Sequence, residues 1–154
     1  MTDTTPTESN LSGLDRKDFQ KNINSRKTDL YILKNAQGME VAVTNYGCAI
    51  LSIMVPDKNG KFANVILGHD SIEHVINSPE PFLSTTIGRY GNRIANGKFT
   101  LYGEEHQLTV NNGPNSLHGG PTGFHARVWD AVQPNESTVI FNYTSADGEE
   151  GFTG

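Results

Sequence analysis

The chain has 154 residues, 35% hydrophobic and 19% charged, with 12 Lys+Arg against 17 Asp+Glu and a net charge of −5. That length suits one domain, and a net negative chain with no basic run argues against a nucleic-acid or anionic-membrane partner. A single cysteine, Cys48, excludes an intrachain disulfide, and no apolar run approaches the roughly 20 residues of a membrane-spanning helix.

Residues 1–13 are polar and without periodicity, which predicts a disordered tail ahead of one folded domain over residues 14–154. No secretory signal is visible, so a cytoplasmic protein is the default expectation. The Thr- and Ser-rich stretch Thr2–Ser12, with Pro6, is like a spacer left after a processed leader, which keeps a periplasmic or exported location open.

Leu14, Phe19 and Ile23 fall near helical spacing in a short polar segment. Leu30–Leu33 and Met39–Thr44 read as strands around the turn Asn35–Gly38. Ala49–Val55 reads as a buried strand, and Cys48 beside it as a small buried hydrophobe rather than a reactive thiol. Pro56–Gly60 is a turn, because Pro fixes φ and Gly accepts positive φ. Phe62–Leu67 returns as its partner strand. Gly68–Asn77 reads as a short helix or loop ended by Pro79 and Pro81, with His69 and His74 on the surface.

Phe99–Tyr102 and His106–Val110 alternate well and predict a hairpin joined by Gly103-Glu104-Glu105. Leu101 and Leu108 should then share one face, with Thr100 and Thr109 on the other. Phe124–Val132 reads as a strand with Trp129 packing inward, and Thr138–Thr144 as another. Ser145–Gly151 reads as a solvated acidic turn, so Asp147, Glu149 and Glu150 are not expected to act. Short strands at near-regular spacing, with no long helix, predict an all-β sandwich or barrel.

Two polar, glycine-flanked clusters bracket the hairpin. The first is Ile87-Gly88-Arg89-Tyr90-Gly91-Asn92-Arg93-Ile94 and the second Asn111-Asn112-Gly113-Pro114-Asn115-Ser116-Leu117-His118-Gly119-Gly120. A hairpin returns the chain to its start, so Arg93 and His118 are expected in one polar pocket. Asn, Arg and His hold neutral polar ligands through hydrogen bonds. Arg93 offers five donors in a rigid fork that can bridge two oxygens. The plainer alternatives are an Arg paired with a carboxylate and a His satisfying turn carbonyls. His118, His125 and His106 could suggest a metal, but the Gly-Gly-Pro-Thr-Gly between His118 and His125 fits no zinc spacing, so none is expected. Gly88-x-x-Gly91 lacks the spacing and Lys of a phosphate loop.

Gly88-Arg89-x-x-Asn92-Arg93-Ile94, then Asn115-Ser116-Leu117-His118-Gly119-Gly120, then Asp147-Gly148-Glu149-Glu150-Gly151-Phe152, resemble the aldose 1-epimerase (galactose mutarotase) family in the right order. The resemblance runs from about Leu30 to Gly154 and implies a large antiparallel β-sandwich of the galactose-mutarotase type, present here as its N-terminal part, about half the family's usual length. It implies an isomerase of hexose metabolism that interconverts the α and β anomers of aldohexoses such as galactose and glucose. Neither cofactor nor metal is implied, and a full-length member would be a monomer or homodimer. Asn92, Arg93 and His118 fall on the family's substrate-binding positions, whereas Arg89 looks structural. The family's proton-donating His and proton-accepting Glu would follow the acidic turn and have no counterpart in this chain, so no catalytic residue is assigned. The alternative implied is a non-catalytic carbohydrate-binding β-sandwich fragment.

Overall fold

The computed structural model describes residues 10–154. After a 3-10 turn at Arg16–Phe19 come β1 (Asn22–Ile23) and β2 (Arg26–Lys27), a minimal hairpin. Next are β3 (Leu30–Lys34), β4 (Glu40–Thr44), β5 (Ile50–Pro56) and β6 (Phe62–Asn64), which form a four-stranded antiparallel sheet in that order. The one α-helix among the described residues is α1 (Ile72–Ile76); Ser71 caps it by accepting from the His74 N–H.

The second half of the chain is built from three further two-stranded ladders. β7 (Arg93–Ile94) pairs with β10 (Ser116–Leu117), and the hairpin β8 (Lys98–Leu101) and β9 (Glu104–Gln107) lies between them in sequence. β11 (Asp130–Asn135) and β12 (Thr138–Asn142) close the series. This last hairpin leans on the free edge of β3. Lys34 N–H donates to the Glu136 carbonyl at 2.8 Å, the Gln133 amide donates to the Ile32 carbonyl at 2.8 Å, and Phe141 meets Tyr31 edge to face. No helix among the described residues is long and apolar enough to cross a membrane.

The main core lies under the four-stranded sheet. Phe19, Leu30, Ala42, Ala49, Leu51, Ile72 and Val75 are buried together, with Leu14, Ile32, Tyr46 and Ile76 against them. Alternation explains the sheet's share of this set, and α1 adds Ile72 and Val75 from one helical face. Thr28 is buried between β2 and β3, where its hydroxyl donates to the Phe19 carbonyl and accepts from the Lys21 N–H. Asp29 receives a bidentate Arg16 at 2.7 and 2.6 Å.

Several sequence expectations shift. The hairpin turn is Tyr102-Gly103, with φ of 52° and 86°, so Glu104 and Glu105 belong to β9 rather than to the turn. Positive φ at both positions is what a type I′ two-residue hairpin turn requires. Leu108 is 2% exposed but Leu101 is 40% exposed, so burial along their expected face fades toward the turn. Phe124–Ala126 is a 3-10 turn rather than a strand, and β11 begins only at Asp130. The return strand after Gly60 stops at Asn64, three residues early. Of the expected tail, residues 1–9 lie outside the described residues, whereas residues 10–13 are held in place. Leu11 and Ser12 N–H groups donate at 2.9 and 3.0 Å to the Glu40 carboxylate, which is 0% exposed and has Lys34 Nζ 3.8 Å away.

A buried carboxylate that gathers two backbone donors is costly to remove, because the donors lose their partner. Glu40→Ala should therefore destabilise the protein by about 1–3 kcal/mol. Urea denaturation checks this, and a midpoint equal to that of the parent would refute it.

Candidate functional site

The two polar clusters meet where β7 pairs with β10. Arg93 lies opposite Leu117 and Ile94 opposite Ser116, which sets His118 beside Asn92. Asn92 is the hub. Its carbonyl accepts the His118 N–H at 2.9 Å, and its own N–H donates to His118 Nδ1 at 2.9 Å. Its side-chain oxygen accepts from Arg93 at 3.2 Å, and Arg93 Nε donates to Asn112 Oδ1 at 2.9 Å. The sequence-predicted residues Asn92, Arg93 and His118 are thus neighbours on one ladder, with Asn92 between the other two. Arg93 has no ion-pair partner among the described residues; its partners are two amides. Because Nδ1 accepts, the His118 proton resides on Nε2, which leaves a donor to spare.

The remaining asparagines shape the loop. Asn111 exchanges two hydrogen bonds with the Leu117 backbone, at 2.7 and 3.0 Å, and Asn115 accepts the Asn96 N–H at 3.2 Å. Side chains of this kind satisfy backbone groups that no strand partner reaches.

Beneath the ladder two backbone segments cross in contact. A β-carbon on Gly119 would stand 1.8 Å from the Gly88 carbonyl oxygen, one on Gly123 2.7 Å from the same oxygen, and one on Gly88 2.1 Å from the Phe124 ring. Phe124 N–H donates to that Gly88 carbonyl at 3.2 Å. Only glycine permits approaches this close. Phe124 in turn packs edge-on against Trp129 and Tyr143, and the Trp129 indole N–H donates to the Phe124 carbonyl at 3.2 Å.

Three further features adjoin the site. Phe82 lies between two histidines, its ring centroid 4.7 Å from that of His118 and 4.5 Å from that of His125. His125 is 4% exposed, and its Nδ1 is buried without a partner among the described residues. Burial first, then the neighbouring His118 and Arg127, holds His125 below the usual imidazole range, with Glu150 opposing. No sequence pattern marks either ring, since the contact is purely tertiary. His106 instead stacks on Phe99 in the β8–β9 hairpin, 5.0 Å between centroids.

The third feature is the acidic turn, where Asp147 is exposed as expected but Glu149 and Glu150 are not solvated. Glu149 accepts from the Tyr143 and Ser145 hydroxyls and pairs with Arg127 at 2.8 Å. Burial alone would push its carboxyl up, but these hydrogen bonds and Arg127 more than offset that and hold it below the usual range. Arg89 fastens the turn to the first cluster through Ser145 Oγ at 2.8 Å and the carbonyls of Ser145, Ala146 and Thr153 at 3.1, 2.6 and 2.9 Å. Cys48 is half-buried, and burial pushes its thiol up to about 12 despite a hydrogen bond with Thr86, so it is unreactive at neutral pH. Among the described residues no group of three His, Cys, Asp or Glu side chains is arranged to hold a metal ion.

The strand framework thus carries an Asn–Arg–His cluster, with Arg93 its one fixed charge, beside a glycine crossing, and comparison with known proteins places the chain. The family model for aldose 1-epimerase matches residues 29–154. Galactose mutarotase of Bos taurus is 41% identical over 116 residues, covering 75% of this chain and 33% of the relative. Aldose 1-epimerase of Escherichia coli (strain K12) is 41% identical over 125 residues, covering 81% and 36%. Among solved structures, a C. elegans aldose epimerase homologue superposes with TM-score 0.75 at 31% identity, covering 80% of this chain and 38% of that one. The galactose 1-epimerase of Lactobacillus acidophilus NCFM gives 0.74 at 30%, covering 87% and 39%. The chain belongs to the aldose 1-epimerase family and carries part of its all-β sandwich fold. The matched segment spans about a third of the curated relatives' length.

His125 generates a pH prediction. Its folded-state pKa is lowered, so below about 6.5 the unfolded chain binds the proton more readily and stability falls with pH. Urea midpoints at pH 5.5 and 7.5 should differ more for the parent than for His125→Phe, the parent being weaker at the lower pH. Equal pH differences in the two proteins would refute the assignment.

Proposed function

We propose that this chain supplies the sugar-gripping part of an aldose 1-epimerase acting on aldohexoses such as galactose or glucose. Anomer interconversion requires the pyranose ring to open and close again. A base takes the anomeric hydroxyl proton while an acid protonates the ring oxygen, and the open-chain carbonyl carbon then turns before the steps reverse. Neither redox chemistry nor phosphate enters. The observation that carries the reading is the Asn92 hub. It holds Arg93 and His118 side by side and, by occupying Nδ1, leaves His118 with an Nε2–H donor for a sugar oxygen. Arg93, held only by amides and largely exposed, keeps donors for neighbouring hydroxyls.

A carbohydrate-binding role without catalysis is the second reading, and one observation favours it for these residues by themselves. The two glutamates of the acidic turn are already engaged, Glu149 by Tyr143, Ser145 and Arg127 and Glu150 by Thr122. Neither is placed as a free base.

Titrating galactose into the isotopically labelled chain should shift the amide signals of Asn92, Arg93 and His118. His118→Ala should weaken that binding about tenfold, the worth of one hydrogen bond to a buried-side donor. Galactose shifts that ignore these residues would overturn the reading. Polarimetry on fresh α-galactose separates the two roles. The 154-residue chain alone should leave mutarotation at its spontaneous rate, because a positioned acid and base each contribute about 10²–10⁴-fold. Rapid catalysis by this chain would place both proton carriers within it.

A further inference from the structure

His118, Gly119 and Gly120 follow one another at φ of 54°, 85° and 93°. All three lie in the left-handed region, which for a residue with a β-carbon costs on the order of 1 kcal/mol or more. Such a run persists only where its surroundings hold it from several sides. Asn92 holds the first residue through its paired hydrogen bonds, and the Gly88 carbonyl abuts the second. The third side is the side chain of Glu150. A β-carbon on Gly120 would stand 2.6 Å from Glu150 Oε2, and Glu150 Oε1 accepts both the Thr122 N–H at 3.1 Å and the Thr122 hydroxyl. The backbone of Glu150 is fixed as well, since its carbonyl accepts the Thr109 N–H at 3.0 Å.

We propose that Glu150 is a positioning residue for His118: its carboxylate clamps Gly120–Thr122 and so keeps the imidazole where Nδ1 accepts from Asn92, which leaves the ring proton to Nε2. Its purpose rests on the reading of His118 as a sugar ligand, but the positioning itself needs no sugar. Glu150 touches no substrate and moves no proton. A carboxylate suits the task because it accepts from an N–H and a hydroxyl at once, and charge makes such bonds stronger than neutral ones. Gln keeps the shape and one acceptor oxygen, whereas Ala keeps neither.

The test is imidazole nitrogen NMR on the full chain, which distinguishes the Nε2–H tautomer from a mixture. The parent should show His118 as Nε2–H alone. Glu150→Ala should give a tautomer mixture at His118, and Glu150→Gln should largely restore the parent signature. Thr122→Val, which removes the hydroxyl donor, should move His118 in the same direction and serves if Glu150→Ala does not fold. An unchanged His118 signature in both Glu150→Ala and Thr122→Val, or a mixed tautomer in the parent, overturns the proposal. Galactose is added last as a probe. If it leaves the parent's His118 unmoved while the variants still alter the tautomer, the sugar reading fails and the positioning role stands.

Discussion

The crossing of Gly88 with Gly119 and Gly123 is the constraint on which the site depends. Here a carbonyl oxygen rests against two α-carbons, with an aromatic ring against the third glycine. Contact this close sets the spacing of the two polar clusters before any of their side chains is considered. Given that spacing, Asn92 reaches the His118 imidazole and the His118 backbone together. Any residue other than glycine at position 119 would meet both a carbonyl and an unfavourable φ.

A second tier of contacts holds the crossing. Arg89, four residues before Arg93, spends its guanidinium on Ser145 and on three backbone carbonyls of the acidic turn and the segment after it. The Ala146 carbonyl also accepts the Glu149 N–H, whereas for the Ser145 and Thr153 carbonyls the arginine is the partner that no strand supplies. The acidic turn then returns the favour to the second cluster through Glu150, and Glu149 draws in Arg127 and Tyr143. Two arginines close in sequence therefore divide the labour, Arg89 building the floor and Arg93 facing solvent.

Local pattern made the larger part of the fold legible. β3, β4 and β5 were evident from alternation, apolar runs and the Pro56–Gly60 turn. The errors share one physical origin. Tyr at a positive-φ turn position and a 3-10 turn at Phe124–Ala126 are not preferences of those residues; the first follows from hairpin closure and the second from Gly123 being pressed on Gly88. The same holds for the site. Asn92, Arg93 and His118 stood out because glycines flank them and a hairpin joins them. Phe82 carries no such signal, and His125 and Glu150 carry only a rejected metal spacing and an acidic-turn pattern, because each meets the site through tertiary contacts. The acidic turn was misjudged in part: Asp147 is exposed as expected, but Glu149 and Glu150 look solvated only until Arg127, Tyr143 and Thr122 are seen against them.

Trp129 is the single tryptophan of the chain. Its indole N–H is bonded to the Phe124 carbonyl, its ring lies near Tyr143, and Phe124 is the ring seated on Gly88. Nature has thus placed the chain's single indole fluorophore two contacts from the glycine crossing. Its emission wavelength and quenching report on the packing beneath the cluster without any attached dye, and because its backbone is bonded to Asn45 just past the end of β4, they report on the join between that floor and the four-stranded sheet.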